Sequence, residues 1–381
     1  MRRALELAAQ GVYSTKPNPA VGCVISKDNQ IIAEGWHHKA GGPHAERVAL
    51  ADAKAKGVSV EGATAYVTLE PCSHFGRTPP CADGLVEAGI ARCVVAMLDP
   101  NPQVAGRGMT RLQQAGIEIQ SGLFESEAEA LNRAFLFAMR QQRPYVFLKM
   151  ASSLDGRTAM ANGESQWITG AQSRQSVHQL RARVGAIITG IGTVLADDPS
   201  LNVRLSHEQL MAMQLDEQDC YPVRVLLDSA LQVSADAKLL NQPGKTIIYC
   251  SSQAYQAQSK NMQGLPENVT VSVVEYDADG LSLKAVLQDL WLTHGINSVL
   301  VEAGATLAGA FVRSGLVNEL HAYMAPVLMG SSARSMFELP ELAAMSDKIE
   351  FSIDSMQQFG EDIRLILQPK RSVIHAHTRE K

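Results

Sequence analysis

Short apolar runs alternate with polar stretches of helical composition along the N-terminal third of the chain. The apolar runs predict strands at 20–25, 31–36, 63–69, 92–97 and 117–119. The stretches between and after them predict helices at 1–10, 45–56, 82–88, 108–115 and 126–142. Alternating strands and helices are typical of an α/β layered domain with a partly parallel sheet.

The same alternation resumes after Pro144, which breaks the helix predicted at 126–142. Strands are predicted at 145–150, 184–190, 224–228, 246–250 and 298–302. We therefore predict one α/β domain over 1–143 and a second over 144–368. The polar segment 205–221 has little periodicity and is predicted to be a variable excursion, and the basic tail 369–381 is expected to be disordered.

The composition is that of an ordinary globular protein, with 46% hydrophobic and 19% charged residues and a net charge of -5. Such a charge gives no bulk attraction to nucleic acid or anionic lipid, and the first 143 residues are almost neutral. The longest apolar stretch, 184–195, is interrupted by glycines and too short to span a bilayer. The N-terminus has no apolar core of signal-peptide length, so we expect a cytoplasmic protein without a membrane partner.

One His and two Cys residues supply three good zinc ligands, namely His44, Cys72 and Cys81. The sequence shows no obvious fourth ligand, so the remaining position is open to a water whose pKa zinc would lower to about 7. Glu46, two residues from His44, is placed to move that proton. This order of residues is the signature of the zinc deaminases. His74 is a weaker candidate to ligate in place of Cys81.

The gap between the two cysteines contains Arg77 and Thr78, which could clamp a substrate phosphate or simply form a solvated loop rim. Two glycine-bearing turns, at 190–193 and 304–306, are candidate phosphate cradles at helix starts. Leu195 stands where a dinucleotide-binding fingerprint would have its third glycine, which argues against a Rossmann domain. By itself each turn is more typical of an ordinary strand-to-helix connection.

Several motifs of the first domain resemble the bacterial bifunctional riboflavin-biosynthesis deaminase/reductase family, whose deaminase half belongs to the cytidine-deaminase-like superfamily. They are TKPNPAVG at 15–22, PHAE at 43–46, TLEPCSH at 68–74, GRTPPC at 76–81 and DPNPQVAGRG at 99–108. The family usually has a few more residues before the first helix, so we expect Met1 to be a late start. Asn18 and His37 are then candidate contacts to the substrate ring or ribose, and Arg77 to its phosphate.

The second domain resembles the reductase half of the same family, which is similar in fold to dihydrofolate reductase and uses NADPH. The motifs are ASSLDGRTA at 151–159, GESQWIT at 163–169, GTVLADDPSL at 192–201 and VEAGATL at 301–307. The resemblance implies that the cofactor is lined by Ala151, Trp167, Thr193, Asp197, Ser229, Gly304, Ala305, Thr306, Leu307, Ala308, Gly309 and Ala310. It implies that the substrate is lined by Ser165, Arg181, Leu201, Arg204 and Glu302. Arg181 and Arg204 suit a substrate phosphate, but without the motifs both could equally form surface salt bridges.

The resemblance implies a bifunctional hydrolase and oxidoreductase with zinc and NADPH as cofactors. A phosphoribosylated diaminopyrimidinone would first be deaminated, and its ribosyl group would then be reduced to a ribityl chain. We expect a homo-oligomer, a dimer or tetramer, with no nucleic-acid partner. Two rival interpretations remain: a nucleoside or tRNA deaminase fused to an unrelated nucleotide-binding domain, and a non-enzymatic binding module stabilised by zinc.

Overall fold

The computed structural model describes residues 1–73, 80–101, 105–258, 264–277 and 280–370. Its two large sheets confirm the predicted α/β class, and each sheet belongs to one part of the chain. None of the helices in the described ranges is long and apolar enough to cross a membrane.

The first sheet has five strands in the order β2-β1-β3-β4-β5. Its strands are β1 Gly22–Lys27, β2 Gln30–Trp36, β3 Thr64–Val67, β4 Arg92–Val95 and β5 Glu118–Ser121. The helices are α1 Arg2–Gln10, α2 Ala45–Ala55, α3 Cys81–Glu87, α4 Arg107–Gln114, α5 Glu125–Leu131 and α6 Arg133–Gln141. β1 is antiparallel to β2 and β3, whereas β3, β4 and β5 are parallel, so the predicted mixed sheet is confirmed.

The second sheet has nine strands in the order β11-β10-β9-β8-β14-β6-β15-β18-β17. These are β6 Tyr145–Ser153, β8 Ala186–Gly190, β9 Val223–Leu227, β10 Thr246–Cys250, β11 Val269–Val273, β14 Ser298–Glu302, β15 Glu319–Ala325, β17 Phe351–Phe359 and β18 Asp362–Pro369. The sheet is parallel from β11 to β15, and β18 and β17 form an antiparallel hairpin at one edge. Two small ribbons accompany it, formed by β7 Arg157–Ala159 with β16 Arg334–Ser335 and by β12 Tyr276–Asp277 with β13 Gly280–Leu281.

Helices cover the second sheet because its central strands are apolar on both faces. They are α7 Ala171–Arg183, α8 Ile191–Asp197, α9 His207–Ala212, α10 Ser252–Ala257, α11 Leu283–Leu292 and α12 Ala305–Arg313. The main core of this part lies under α11 and α12, where Leu287, Leu290 and Phe311 are fully buried.

One sequence prediction needs correction. The helix predicted at 126–142 is two helices that meet at Asn132, whose φ of -108° and ψ of 18° are not helical and whose side chain bonds both backbone groups of Ala20 at 2.8 and 2.9 Å. The segment 205–221, predicted to be a variable excursion, contains α9 and a short 3-10 helix, Glu217–Cys220. Pro369 ends β18, and the rest of the predicted tail, 371–381, lies outside the described residues.

Helix α6 is shared by the two halves of the molecule. Phe135 and Leu136 pack with Met97 in a core of the first half. Ala134 and Phe137, on another side of the same helix, pack against the cluster that contains Phe147 of β6. The two halves are therefore joined by buried apolar contacts as well as by the chain.

Candidate active sites

Three predicted metal ligands meet where α2 and α3 begin. His44 is the N-cap residue of α2, Cys72 lies in the loop after β3, and Cys81 is the first residue of α3. The His44 Nδ1 atom lies 3.6 Å from Cys72 Sγ and 3.4 Å from Cys81 Sγ. Their ligand atoms all lie within 4.8 Å of one another, and no fourth His, Cys, Asp or Glu of the described ranges joins this group. One imidazole and two sulfurs at this spacing fit a zinc ion with an open position.

The surroundings favour a thiolate at Cys72. Hydrogen bonds with the Cys81 thiol and then with His44 hold the pKa of Cys72 well below its usual value. The Cys81 backbone N–H also donates to Cys72 Sγ at 3.3 Å. Hydrogen bonding to Cys72 in turn raises the pKa of His44. A pre-formed thiolate beside an imidazole is the donor chemistry that a zinc site needs.

Glu46 stands beside this group in the first turn of α2 and is only 3% exposed. Burial, with the Cys72 thiolate as a second cause, raises the pKa of Glu46 to about 7. Its carboxyl group is hydrogen-bonded to Cys81, so the side chain faces the ligand group. A carboxyl with a pKa near neutrality is suited to accept and return a proton.

Asn18 and His37, which the sequence predicts as substrate contacts, lie next to the same group. Asn18 Nδ2 donates to His37 Nε2 at 3.1 Å, which leaves His37 Nδ1–H to donate to the Pro43 carbonyl at 3.0 Å. The His37 ring meets the His44 ring edge-on with centroids 5.4 Å apart. His37 is thus held in one orientation beside a ligand. His74, Arg77 and Thr78 lie outside the described residues.

A second site forms at the carboxyl edge of the parallel strands β9, β8, β14 and β6. The two glycine turns follow β8 and β14, which are neighbours in the sheet. A Cβ added at Gly190 would meet Leu307, so the turns touch, whereas one added at Gly192 or Gly304 would meet nothing within 4 Å. The backbone therefore leaves an open cradle at the start of α12, of the kind that receives phosphate groups.

Most residues predicted to line the cofactor lie on elements that meet this edge of the sheet. Ala151 is in β6, Thr193 and Asp197 are in α8, and Ser229 follows β9. In α12, Gly304 to Leu307 form the open turn, but Ala308 is fully buried in the core, and Gly309 packs against the Glu338 backbone. Ala310 is half-buried on the same helix. The side of α12 that carries Ala308 and Gly309 thus serves packing.

The residues predicted to bind substrate gather around a buried ion pair. Arg181 Nε and Nη2 donate to the two Glu302 oxygens at 2.5 and 2.9 Å, and both side chains are 12% exposed. The pair is buried, so the alternative of a surface salt bridge is excluded for Arg181. Arg204 is largely exposed, and the partial burial of its guanidinium and the Arg181 charge lower its pKa. Two neighbouring guanidinium groups are suited to bind a phosphate.

The remaining predicted residues lie at the rim or beneath it. Leu201 is 3% exposed and adopts a φ of 48° immediately before Asn202, whose carbonyl accepts from Arg181 at 2.9 Å. Ser165 is half-buried, and Trp167 is 69% exposed. The Arg174 guanidinium stacks over the Trp167 ring at 4.5 Å. Most of the Trp167 side chain is therefore accessible to a planar group.

Sequence reasoning missed two titratable residues of this site. Lys149 of β6 lies beside Glu302 of β14 in the strand register. Burial lowers the pKa of Lys149, and the attraction of Glu302 opposes this shift. His178 accepts from the Arg204 backbone N–H at 3.1 Å, and burial and the two arginines lower its pKa to about 4. Lys149 could have been recognised as a candidate, because it is the one charged residue in the apolar strand predicted at 145–150. Nothing in the sequence around His178 distinguished it.

Two buried oxygens at the strand ends have no hydrogen-bond partner among the described residues. They are Thr189 Oγ1, near the end of β8, and Asp228 Oδ1, just after β9. Buried polar atoms are normally paired, so unpaired ones at a strand edge fit a site that receives a polar ligand.

Together the two sites define a bifunctional enzyme, a zinc-dependent deaminase joined to a reductase with a nucleotide cofactor. The zinc-binding region of cytidine and deoxycytidylate deaminases matches residues 1–97, and the RibD C-terminal domain matches residues 144–365. The chain belongs to the RibD family of riboflavin biosynthesis proteins. It uses zinc and NADPH, and its second half has the predicted dihydrofolate-reductase-like fold.

Similar proteins support this over almost the whole chain. The riboflavin biosynthesis protein RibD of Escherichia coli is 49% identical over 96% of this chain and 98% of its own length. That of Haemophilus influenzae is 46% identical over 97% and 96%. The solved structure of Acinetobacter baumannii RibD superposes with a TM-score of 0.87 at 47% identity, covering 97% of this chain and 98% of that one. A deaminase/reductase from Thermotoga maritima gives 0.82 at 33% identity, covering 97% of each chain.

Proposed function

We propose that the enzyme deaminates 2,5-diamino-6-(5-phosphoribosylamino)pyrimidin-4(3H)-one at the ring carbon that bears the 2-amino group. The same chain then reduces the ribosyl group and yields 5-amino-6-(5-phosphoribitylamino)uracil. The solved relative from Thermotoga maritima is named for a deaminase and a reductase of such compounds. The observation that carries the proposal is the buried Glu46 carboxyl beside a three-ligand group with no fourth protein ligand in the described ranges.

In the deaminase site, zinc held by His44, Cys72 and Cys81 would activate water for attack on the ring carbon. Glu46, whose buried carboxyl has a pKa raised toward neutrality, would accept the water proton and deliver it to the leaving ammonia. Asn18 and His37 hold the ring or ribose against this group.

Arg77 is proposed as the phosphate contact of the deaminase site. Its guanidinium group offers a planar pair of donors that suits phosphate oxygens. The residue lies outside the described part of the chain, so the proposal stands on sequence alone.

In the reductase site, NADPH would supply the hydride that C1′ of the ribosyl group accepts. Ala151, Trp167, Thr193, Asp197, Ser229, the open turn 304–307 and Ala310 would hold the cofactor, and the open cradle of α12 would suit its diphosphate. Arg181 and Arg204 bind the substrate phosphate, and Ser165, Leu201 and Glu302 complete the pocket. Lys149, half-buried and in register with Glu302, would protonate the ribose oxygen as the ring opens.

The domain limits that we propose are 1–143 and 144–368. The break at Pro144, the division between the two sheets and the start of the reductase match at residue 144 support them. Helix α6 belongs to the first segment but contributes side chains to the cores of both halves, so the two cores are not separate at this limit.

We propose further that the enzyme is a cytoplasmic homo-oligomer without a nucleic-acid partner. All six cysteines are free thiols, which suits a reducing compartment. The almost neutral deaminase half lacks the basic footprint of an RNA-binding protein. The edge strand β17 exposes Ile353 and Met356, which suits a contact with a second copy.

One assay tests the two reactions separately. The full-length enzyme is incubated with the diaminopyrimidinone phosphate while ammonia release and NADPH oxidation are followed in parallel. We expect ammonia without NADPH and both signals with it. Ammonia release from cytidine or RNA with no NADPH oxidation would instead support a nucleoside or tRNA deaminase.

Two variants assign the sites. Cys72→Ser is expected to lose stoichiometric zinc in metal analysis. Retained zinc would indicate that His74 is a ligand. Arg204→Ala is expected to raise the KM of the reductase for its phosphorylated substrate while leaving ammonia release intact. An unchanged KM would mean that Arg204 does not bind the substrate phosphate and is only a surface residue.

A further inference from the structure

We propose that the reductase half is a positioning part of the deaminase pocket. Asn297 and the Ala182 carbonyl, both in the reductase half, hold the 15–18 turn that carries Asn18. This inference rests on the proposed function, because it assigns Asn18 a contact with the substrate.

The first contact joins Asn297 to the turn. Asn297 Nδ2 donates to the Pro17 carbonyl at 2.7 Å, across 280 positions of sequence. Asn297 is 5% exposed and immediately precedes β14. Its own carbonyl accepts from the Tyr145 N–H at 2.9 Å, so its backbone is tied into the sheet start. The donor is therefore mounted on a rigid element.

The second contact joins the turn to α7. The Lys16 ammonium donates to the carbonyl of Ala182, in the last turn of that helix. Ala182 is fully buried, and its neighbour Arg181 holds Glu302 in the reductase site. Consecutive residues of the turn, Lys16 and Pro17, are thus fastened to two different elements of the reductase half.

The two hydrogen bonds act where the turn borders open space. A cleft of about 260 Å³ adjoins the turn and is lined by Lys16, Pro17, Gly185 and Asn297 among others. Atoms that face a cleft lack dispersion contacts on that side. Loss of either hydrogen bond would therefore leave the turn room to shift.

The turn leads directly to the zinc ligands. Asn18, the residue after Pro17, donates to His37, and His37 donates to the Pro43 carbonyl immediately before His44. A shift of Pro17 thus moves a proposed substrate contact but leaves His44, Glu46 and the two cysteines on their own helices. The expected signature is weaker substrate binding with zinc and the proton-transfer group intact.

The test compares Asn297→Ala and Lys16→Met with two matched controls in the full-length enzyme. Lys27→Met removes another lysine that donates to a carbonyl, that of Glu61, but within the first half. Asn241→Ala removes another asparagine that donates to carbonyls, those of Ala235 and Ala237, within the second half. Each variant is assayed for zinc content, for the kcat and KM of ammonia release, and for reductase rate on the deaminated intermediate.

We expect Asn297→Ala and Lys16→Met each to raise the KM for deamination roughly three- to tenfold, the effect of one lost hydrogen bond. Their deaminase kcat, zinc content and reductase rate should stay near those of the controls. An unchanged KM in both variants, with the wild-type enzyme active, overturns the inference. If Asn297→Ala lowers both activities in parallel, Lys16→Met alone decides. Failure of the wild-type enzyme to release ammonia would instead reject the proposed function.

Discussion

The chemistry of the deaminase site depends on one buried carboxyl. Glu46 faces Cys81 from the first turn of α2 and is 3% exposed, with a pKa raised to about 7 by burial. Glu46→Gln keeps the shape and can still hydrogen-bond, but it cannot carry a proton. We expect ammonia release to fall by about 10²- to 10⁴-fold while zinc content and NADPH oxidation on the deaminated intermediate are retained. Deamination at the normal rate would contradict the assigned role.

Lys16 gives the fold a pH dependence whose sign can be worked out. Burial lowers its pKa from 10.5 to about 8 in the folded protein. Between these values the unfolded chain binds more protons, so the Lys16 contribution to stability increases with pH in this window. Below about pH 8 both states are charged, and the cost of burying the ammonium is fully present.

The corresponding measurement compares thermal unfolding of the wild-type protein and Lys16→Met at pH 7 and pH 10. The stability of the wild-type protein relative to the variant should increase over this interval by on the order of 2 kcal/mol. Lys27→Met, which removes an exposed lysine, should show no such change relative to the wild type. A constant difference between wild type and Lys16→Met would mean that the ammonium is solvated in the folded state.

Residue types at fixed spacing were enough to predict His44, Cys72, Cys81 and Glu46 as one group. These residues follow strand ends or begin helices, so local sequence indicates their placement. Asn297 could not be predicted in this way, because its partner Pro17 lies 280 positions away and neither residue has a distinctive neighbourhood. Contacts of this kind depend on how the two halves dock, which no local pattern encodes.

Two glycines of α12, Gly304 at its N-cap and Gly309 within it, differ in the space around them. A Cβ at Gly304 would extend into open space, whereas one at Gly309 would lie 2.1 Å from the Glu338 carbonyl oxygen. Gly304→Ala should therefore change the free energy of unfolding by less than about 0.5 kcal/mol but raise the KM for NADPH, because the methyl group enters the cradle. Gly309→Ala should lower the free energy of unfolding by about 1–3 kcal/mol, because the backbone at Glu338 must move to admit the methyl group.

Denaturant unfolding and NADPH kinetics on both variants separate these roles. If Gly309→Ala is as stable as the wild type, α12 and residue 338 are not packed as described. If Gly304→Ala binds NADPH normally, the cofactor does not approach this turn. The pair serves as its own control, since the same substitution is made on the same helix.

Strands were easier to predict than helix breaks. β10 and β14 match their predicted bounds because short apolar runs between turns leave few alternatives. The break between α5 and α6 was missed because helical composition continues through it. Its cause is tertiary, since Asn132 bonds the Ala20 backbone 112 positions earlier. A side chain that satisfies a distant backbone overrides local propensity.

On the scale of the whole molecule, α6 makes the two halves interdependent. Besides its apolar contacts, its first residue, Arg133, bonds Glu319 of β15 at 2.7 Å. Burial alone would raise the pKa of Glu319, but His321 and Arg133 together lower it to about 2. This cluster ties the end of the deaminase half to a central strand of the reductase sheet. Two α/β domains could be predicted from the sequence, but this joint could not.

The free edge of the nine-stranded sheet is where we expect a second copy to bind. In β17, Ile353 and Met356 are 65% and 69% exposed and lie opposite Leu367 and Leu365 of β18, so one face of the hairpin is apolar. Placing a charge there should prevent association, because an unpaired buried charge costs several kcal/mol. We expect Met356→Glu to be a smaller species than the wild type in light scattering, with ammonia release retained. Ser355→Glu, on the opposite face of the strand, is the matched control and should keep the wild-type mass. A monomeric wild-type enzyme, or an unchanged mass for Met356→Glu, would exclude this face as the interface.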